Sequence, residues 1–282
     1  SAHNSNDFFK IWAADKVEQG APLVIGQHGG HYGIGLWSFT EDHEIAISTS
    51  YLSWGWSESG QKKVKPVGQL KAKLPIVDLD SKRNGALMVT TTLPRKSYRM
   101  YSVAVSRQWL DYFEDNSTFV KELPESIQNS LTVRLHRQDR GWNQVERWKD
   151  RFPEINLDKS RYSIKDMILK SNLVICTYNA TTYLESFTMN VPTVIFWNPE
   201  QWEIRDSAVP FFENLKRVGV FHDTPESAAN HVEAIWDDID SWWLSNEVRE
   251  AVDQFRKNYC YLPDDILDRI EGALQEAVTT SR

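Results

Sequence analysis

Short apolar runs recur along the chain, each followed by a polar or glycine-rich turn. The clearest is LVIC at 173–176, which suits a strand buried on both faces. A hydroxyl-rich turn, TYNATT, occupies 177–182. Tyr183, Leu184, Phe187 and Thr188 then recur at helical spacing up to Met189. Asn190 stops that helix, and Pro192 precedes a second apolar run at 193–197. The pattern predicts strand, loop, helix, strand, which is one βαβ unit. In a parallel sheet its first loop lies at the carboxyl edge, where ligands bind.

The same reading predicts a helix over 7–19, with Phe8, Ile11, Trp12 and Asp15 at helical intervals. Short strands follow at 23–25, 44–48, 51–56 and 64–67. Residues 71–82 carry mixed charge and Pro75 and read as a connector. Beyond it come a strand at 85–90, helices at 108–119 and 123–130, and an alternating strand at 131–136. Residues 158–163 read as a link before a helix at 164–170 capped by Ser163. After 197 the pattern gives a helix at 210–216, a strand at 218–221, and helices at 225–237, 241–259 and 264–278. Thr224 and Pro225 form a clean start for the first of these three.

Strands alternating with helices define an α/β fold with parallel sheets. The stretch before the connector, 1–75, is small for a complete doubly wound domain. It reads as a partial lobe, from a longer protein or a reduced fold, with Ser1, Ala2 and His3 as an appended leader. Residues 83–282 read as the second lobe with a helical tail.

Hydrophobic residues make up 41% and charged residues 25% of the 282, which supports a packed core rather than disorder. A net charge of -7 argues against general nucleic-acid binding. Two cysteines cannot make a disulfide framework, Cys176 falls in a buried strand, and a reducing cytosol is expected. The late tryptophans Trp236, Trp242 and Trp243 are expected to pack helices.

Candidate chemistry gathers at strand ends. The stretch 26–35, GQHGGHYGIG, follows a strand and has the glycine density that lets backbone approach a ligand. It fits neither a dinucleotide fingerprint nor a P-loop. His28 and His31 lack the further spacing of a zinc set, so no metal site is expected. His28 suits general-base chemistry near neutral pH, with Gly29 and Gly30 beside it. Thr181 and Thr182, with the helix start, make an anion site for phosphate; a threonine that merely caps the helix leaves the same pattern. Arg95 and Lys96 follow one strand end, and Arg134, His136, Arg137 and Arg140 gather at another. Cations there suit phosphate or carboxylate. The irregular stretch 198–205 lies beyond a strand and hence near the same edge. A ligand cleft between two lobes follows.

The order of these features resembles GT-B-type transferases that use cytidine-activated donors. CDP-glycerol glycerophosphotransferases carry a His-Gly loop, a Gly-Pro-type turn, a Thr-rich strand end, a strand ending in basic-His, and an Asp-Tyr-Ser-Ser loop before a helix with Glu. Here those places are held by His28-Gly29, Pro66-Val67-Gly68, Thr90-Thr91-Thr92, Arg134-Leu135-His136, and residues 177–182 with Asn179 and Glu185. Bacterial sialyltransferases and Kdo transferases share the later elements, and the GQHGG and SWGW segments are similar to surface-carbohydrate transferases on the Kdo side. Arg137 stands where the pattern has proline, which leaves the role of His136 open. Thr177 replaces an acidic residue, which favours a sugar over a polyol-phosphate donor.

The resemblance implies a GT-B-like fold and transfer of a Kdo-like sugar from a CMP-activated donor to a surface glycan or glycolipid. Thr181 and Thr182 would hold the donor phosphate, with Asn179 in the same loop. His136, Arg134 and Arg137 would neutralise the leaving nucleotide, and Arg95 or Lys96 would grip a donor carboxylate. Glu185 would bind a ribose hydroxyl, or is simply solvated. His28 would deprotonate the acceptor in an inverting reaction; a retaining one needs a carboxylate, and Asp42 and Glu41 are nearest. No cofactor, metal or nucleic-acid partner is expected. A cytoplasmic location is expected, with association at the inner membrane face left open. The alternatives are a CDP-polyol phosphotransferase of the same fold and a non-catalytic carbohydrate-binding module.

Overall fold

The computed structural model describes residues 2–70, 74–79, 81–97 and 100–280. It contains two parallel sheets, as the α/β reading requires. The small one has three strands, β1 (Val24–Gly26), β2 (Ser50–Ser53) and β3 (Val64–Pro66), in that spatial order. The large one has β4 (Ala86–Val89), β5 (Leu131–Arg134), β6 (Asn156–Asp158), β7 (Leu173–Cys176), β8 (Thr193–Phe196) and β9 (Phe221–His222). Their order is β6-β5-β4-β7-β8-β9, all parallel. The direction of winding therefore reverses between β4 and β7, and the loops leaving those two strands flank a crevice.

The large sheet forms where the apolar runs are longest. All four residues of β7 are fully buried, and β4 and β8 are buried throughout. Unbroken burial suits strands covered on both faces. Helices Gln108–Glu122 and Pro225–Ile235 pack on each other, and Asn246–Tyr259 packs on both Thr181–Thr188 and Val209–Arg217. Phe255 joins this second group, its ring within 6.1 Å of Tyr183, Phe187, Phe212 and Tyr259. Cys176 is buried with a free thiol.

The strand expected at 44–48 is corrected to a helix, Phe39–Ile47. Thr40, Glu41, Glu44 and Ile45 are its buried residues, an i, i+4 pattern that the local Glu-Ile-Ala-Ile alternation disguises. The link expected at 158–163 begins inside β6, and helix Gln144–Arg151 was not expected. Residues 241–259 divide at Ser245, whose hydroxyl caps Asn246–Tyr259. The connector at 71–82 lies partly outside the described residues; its described parts carry no helix or strand.

The final helix, Ile266–Thr280, returns to the small sheet. Ala273 and Ile270 pack against Leu52, Val67 and Val24. The tail expected to belong to 83–282 therefore closes on the other lobe. Among the described residues no helix is long and apolar enough to cross a membrane.

Candidate functional site

The glycine-rich loop after β1 is built by side chains from a distant motif. Gln27 Oε1 accepts the Trp54 backbone N–H at 2.9 Å and the Trp56 indole N–H at 2.8 Å. The Trp54 indole donates to the Gln27 carbonyl at 3.1 Å. GQHGG and SWGW are thus two halves of one unit. Gly33 has φ +74, and a Cβ there would meet the Trp56 ring at 2.4 Å, so both the turn and the close packing require glycine.

This loop reaches the large lobe. Gly30 N–H donates to Thr181 Oγ1 at 3.1 Å. A Cβ on Gly30 would lie 2.6 Å from the Thr181 Cα and the Ala180 carbonyl carbon. The contact falls at the start of helix Thr181–Thr188, whose N-cap is Ala180 with no side-chain cap. Neither threonine caps the helix: Thr181 meets Gly30, and Thr182 Oγ1 pairs with the Tyr178 hydroxyl at 2.8 Å. The first-turn N–H groups, with the helix dipole, keep the character of an anion site.

Tyr112 ties the two crevice loops together. Its hydroxyl lies 2.6 Å from Thr177 Oγ1 after β7 and accepts the Thr91 N–H at 2.9 Å after β4. Asn179 is buried, with Oδ1 accepting from the Tyr183 hydroxyl at 3.0 Å. Its Nδ2, and the indole Nε1 of Trp202 after β8, have no hydrogen-bond partner among the described residues. Buried donors without partners are costly, and these two sit on adjacent strand-end loops.

His28 lies half-exposed on the small-lobe side. Its Nε2 is 3.3 Å from the Tyr32 hydroxyl, and its Nδ1 is 3.8 Å from Glu44 Oε2. Burial lowers its pKa, while the Glu44 carboxylate opposes that shift. The downward direction favours the neutral ring, the form general-base chemistry uses. Burial also lowers His31, to about 4, with the charges of His28 and Arg205 adding to it. Glu41 pairs with Arg205 at 2.7 Å and accepts the Gly33 N–H at 2.7 Å. Burial raises the Glu41 pKa and Arg205 counters it. Arg205 comes from the stretch after β8, which the sequence placed near this edge.

The other expected residues are dispersed. Asp42 is two residues from Thr40 and Glu44 on the same helix, hence on another face. It is exposed on a cleft of about 740 Å³ shared with Ile45, Ser57, Lys63, Arg205 and Asp206. The structure does not bring it to His28. The Arg134 guanidinium is bound to the Asp158 carboxylate and contacts Met167 Sδ at 3.1 Å. It is committed to β6 rather than to the crevice. His136 Nδ1 contacts the Gln138 backbone at 3.1 Å. Arg137 and Lys96 are exposed, and Arg95 lies over the Trp142 ring at 5.7 Å. Arg140 lines a pocket of about 200 Å³ with Thr92, Pro94 and Tyr101. Glu185 is partly buried on the helix. Sequence reading missed Glu44, Tyr32, Tyr101 and Arg205. The buried i, i+4 pair Thr40 and Glu44 was the available signal for the first.

Two parallel α/β lobes thus meet where the histidine loop of one rests on the helix start of the other. The chain belongs to the LIC12162 family of transferases, matched over residues 1–271. No curated protein matches it by sequence. Among solved structures it is similar to the wall teichoic acid polymerase TagF, at 12% identity over 86% of this chain and 61% of that one, with a TM-score of 0.43. It is similar to WaaG, a glycosyltransferase involved in lipopolysaccharide biosynthesis, at 11% identity over 97% and 83%, TM-score 0.43. The GtfA/B complex matches at 13% identity over 96% and 55%, TM-score 0.47. The chain spans about three fifths of the length of TagF.

Proposed function

We propose that this chain transfers a sugar, a Kdo-like keto-acid, from a CMP-activated donor to a surface glycan or glycolipid. The reading is supported above all by the bond from Gly30 N–H to Thr181 Oγ1. It brings the His28 loop, two residues away, onto the helix start suited to the donor phosphate. The acceptor hydroxyl gives its proton to His28 as its oxygen bonds the anomeric carbon. The bond from that carbon to the phosphate oxygen breaks, and CMP leaves with the electron pair. Thr181, Thr182 and the first-turn N–H groups receive the phosphate charge. The partnerless Asn179 Nδ2 and Trp202 Nε1 supply donors to the nucleotide. Arg95 or Lys96 grips the keto-acid carboxylate, and His136 neutralises the leaving group. The reaction runs in the cytoplasm, at the inner face of the membrane where a glycolipid acceptor lies.

Calorimetric titration with CMP, CDP, UMP and UDP tests this. Binding that prefers CMP and is lost in Thr181→Ala is expected. Preference for a uridine nucleotide overturns the donor. Consumption of a CDP-polyol in place of a CMP-sugar turns the reaction into phosphotransfer. No nucleotide binding leaves a carbohydrate-binding module.

A further inference from the structure

Glu44 is fully buried in helix Phe39–Ile47. Its Oε1 is 2.9 Å from His3 Nε2 and accepts from the Tyr32 hydroxyl at 3.4 Å. Its Oε2 has no hydrogen-bond partner among the described residues, yet it faces His28 Nδ1 across 3.8 Å. A buried carboxylate oxygen left without a donor is expensive. A slight turn of the imidazole closes the gap and supplies that donor, since catalytic hydrogen bonds are often long before substrate binds. The other ring edge is also defined. Tyr32 lies 3.3 Å from Nε2, and its hydroxyl is 3.0 Å from Thr40 Oγ1, itself 2.9 Å from the Tyr101 hydroxyl. Thr40 and Glu44 share one helix face, so a single helix fixes the groups that address both sides of the ring.

We infer that Glu44 is the positioning residue of His28, holding the neutral imidazole as its Nδ1–H tautomer so that the Nε2 lone pair meets the acceptor hydroxyl. This rests on the transferase reading above and extends it. The acceptor hydroxyl takes the place of the Tyr32 hydroxyl at Nε2 while Tyr32 keeps its bond to Thr40, and Nε2 receives the acceptor proton as the new glycosidic bond forms. Glu44 then faces the imidazolium and stabilises its charge. The sequence hid this role because 44–48 reads as a strand, in which Glu44 has no fixed relation to His28.

Among the described residues, the groups facing His28 are Glu44 from the helix, Tyr32 and His31 from its own loop, and His3, whose ring centroid is 6.4 Å away. Of these, Glu44 alone is a carboxylate. Imidazole nitrogen-15 NMR reads the tautomer and titration directly, without a substrate. In the unmodified protein neutral His28 is expected to carry its proton on Nδ1. In Glu44→Gln its pKa is expected to fall by about one unit, with the Nε2–H tautomer gaining. His3→Ala should leave the Nδ1–H tautomer in place. With a donor and acceptor in hand, Glu44→Gln should lower kcat on the order of 10-fold to 100-fold at nearly constant KM. An Nε2–H tautomer in the unmodified protein overturns the proposal, and that measurement decides alone if Glu44→Gln does not fold. Unchanged tautomer and pKa in a folded Glu44→Gln overturn it as well. A coupled His28 and Glu44 in a protein that transfers no activated sugar keeps the pairing and removes the transferase reading.

Discussion

The two lobes are stabilised in different ways. The large sheet is closed by apolar side chains: Val174, Ile175, Leu184, Phe187 and Phe255 are wholly buried. The small lobe buries polar groups instead. Gln27, Thr40, Glu41 and Glu44 sit in its interior beside Tyr32 and Tyr51, and bonds to neighbours hold them. Two of those neighbours come from beyond the connector: Arg205 for Glu41 and Tyr101 for Thr40. Apolar packing is non-directional and gives a rigid base, whereas a buried polar network specifies one geometry only when fully paired. The lobe that carries His28 is therefore the lobe whose shape depends on its surroundings.

Phe255→Ala should have the largest effect, about 3–5 kcal/mol, because it opens a cavity among four aromatic rings. Leu52→Ala, in the small cluster beneath the final helix, should cost about 2 kcal/mol. Urea melts followed by tryptophan fluorescence and circular dichroism compare them. If Phe255→Ala moves one shared transition while Leu52→Ala splits off an earlier one, the asymmetry holds; two identical shifts break it.

Arg205→Met ranks between those two, at about 3 kcal/mol, since it strands Glu41 in the interior. The loss should be larger than that of Arg205→Met combined with Glu41→Gln. A thermal-melt double-mutant cycle reads the difference, and additive losses would mean the pair does not couple the lobes.

Acid sensitivity sharpens the contrast. His31, in the small-lobe loop, and His231, in the large lobe, both have folded pKa values lowered to about 4 from 6.5, first by burial. The unfolded chain takes up these protons first as pH falls. The associated stability is whole above about pH 6.5 and drains toward pH 4, by up to about 3 kcal/mol per ring. His31→Asn should remove its share from melts between those limits while His231 keeps its own; an unaltered pH slope contradicts this. Lys65→Ala should have the smallest effect, under about 1 kcal/mol, because the Lys65–Glu276 pair is exposed. A larger shift in melting would assign the return of the final helix to charge rather than to Leu52, Val67 and Ala273.

Legibility in the sequence followed the same divide. β4, β7 and β8 were readable because unbroken apolar runs leave little alternative, and helix Ile164–Lys170 because Ser163 marks its start. The small lobe was less legible. Glu44-Ile45-Ala46-Ile47-Ser48 alternates like a strand, yet the helix wins because Glu41 and Glu44 find long-range partners in Arg205, Gly33 and Tyr32. In the site, His28, Gly30 and Thr181 were visible from composition and position. Arg134 stands where a strand end was expected to offer a cation, but Asp158 of the adjacent strand claims it. Partners so far apart along the chain leave no local periodicity.

The backbone passes between the lobes twice, after β3 and again before Ile266–Thr280, and the two passages touch. Gln69 N–H donates to the Tyr261 carbonyl at 2.6 Å, and Gly68 leaves no room for a side chain beside Tyr261 and Pro263. Two connections fastened at one place tie the lobes together there. Sliding the lobes apart would stretch both connections and break that bond. Swinging them about it would part the backbone bonds from Leu36 N–H to the Glu203 carbonyl, from Arg205 N–H to the Ile34 carbonyl and from Ser102 N–H to the Trp37 carbonyl.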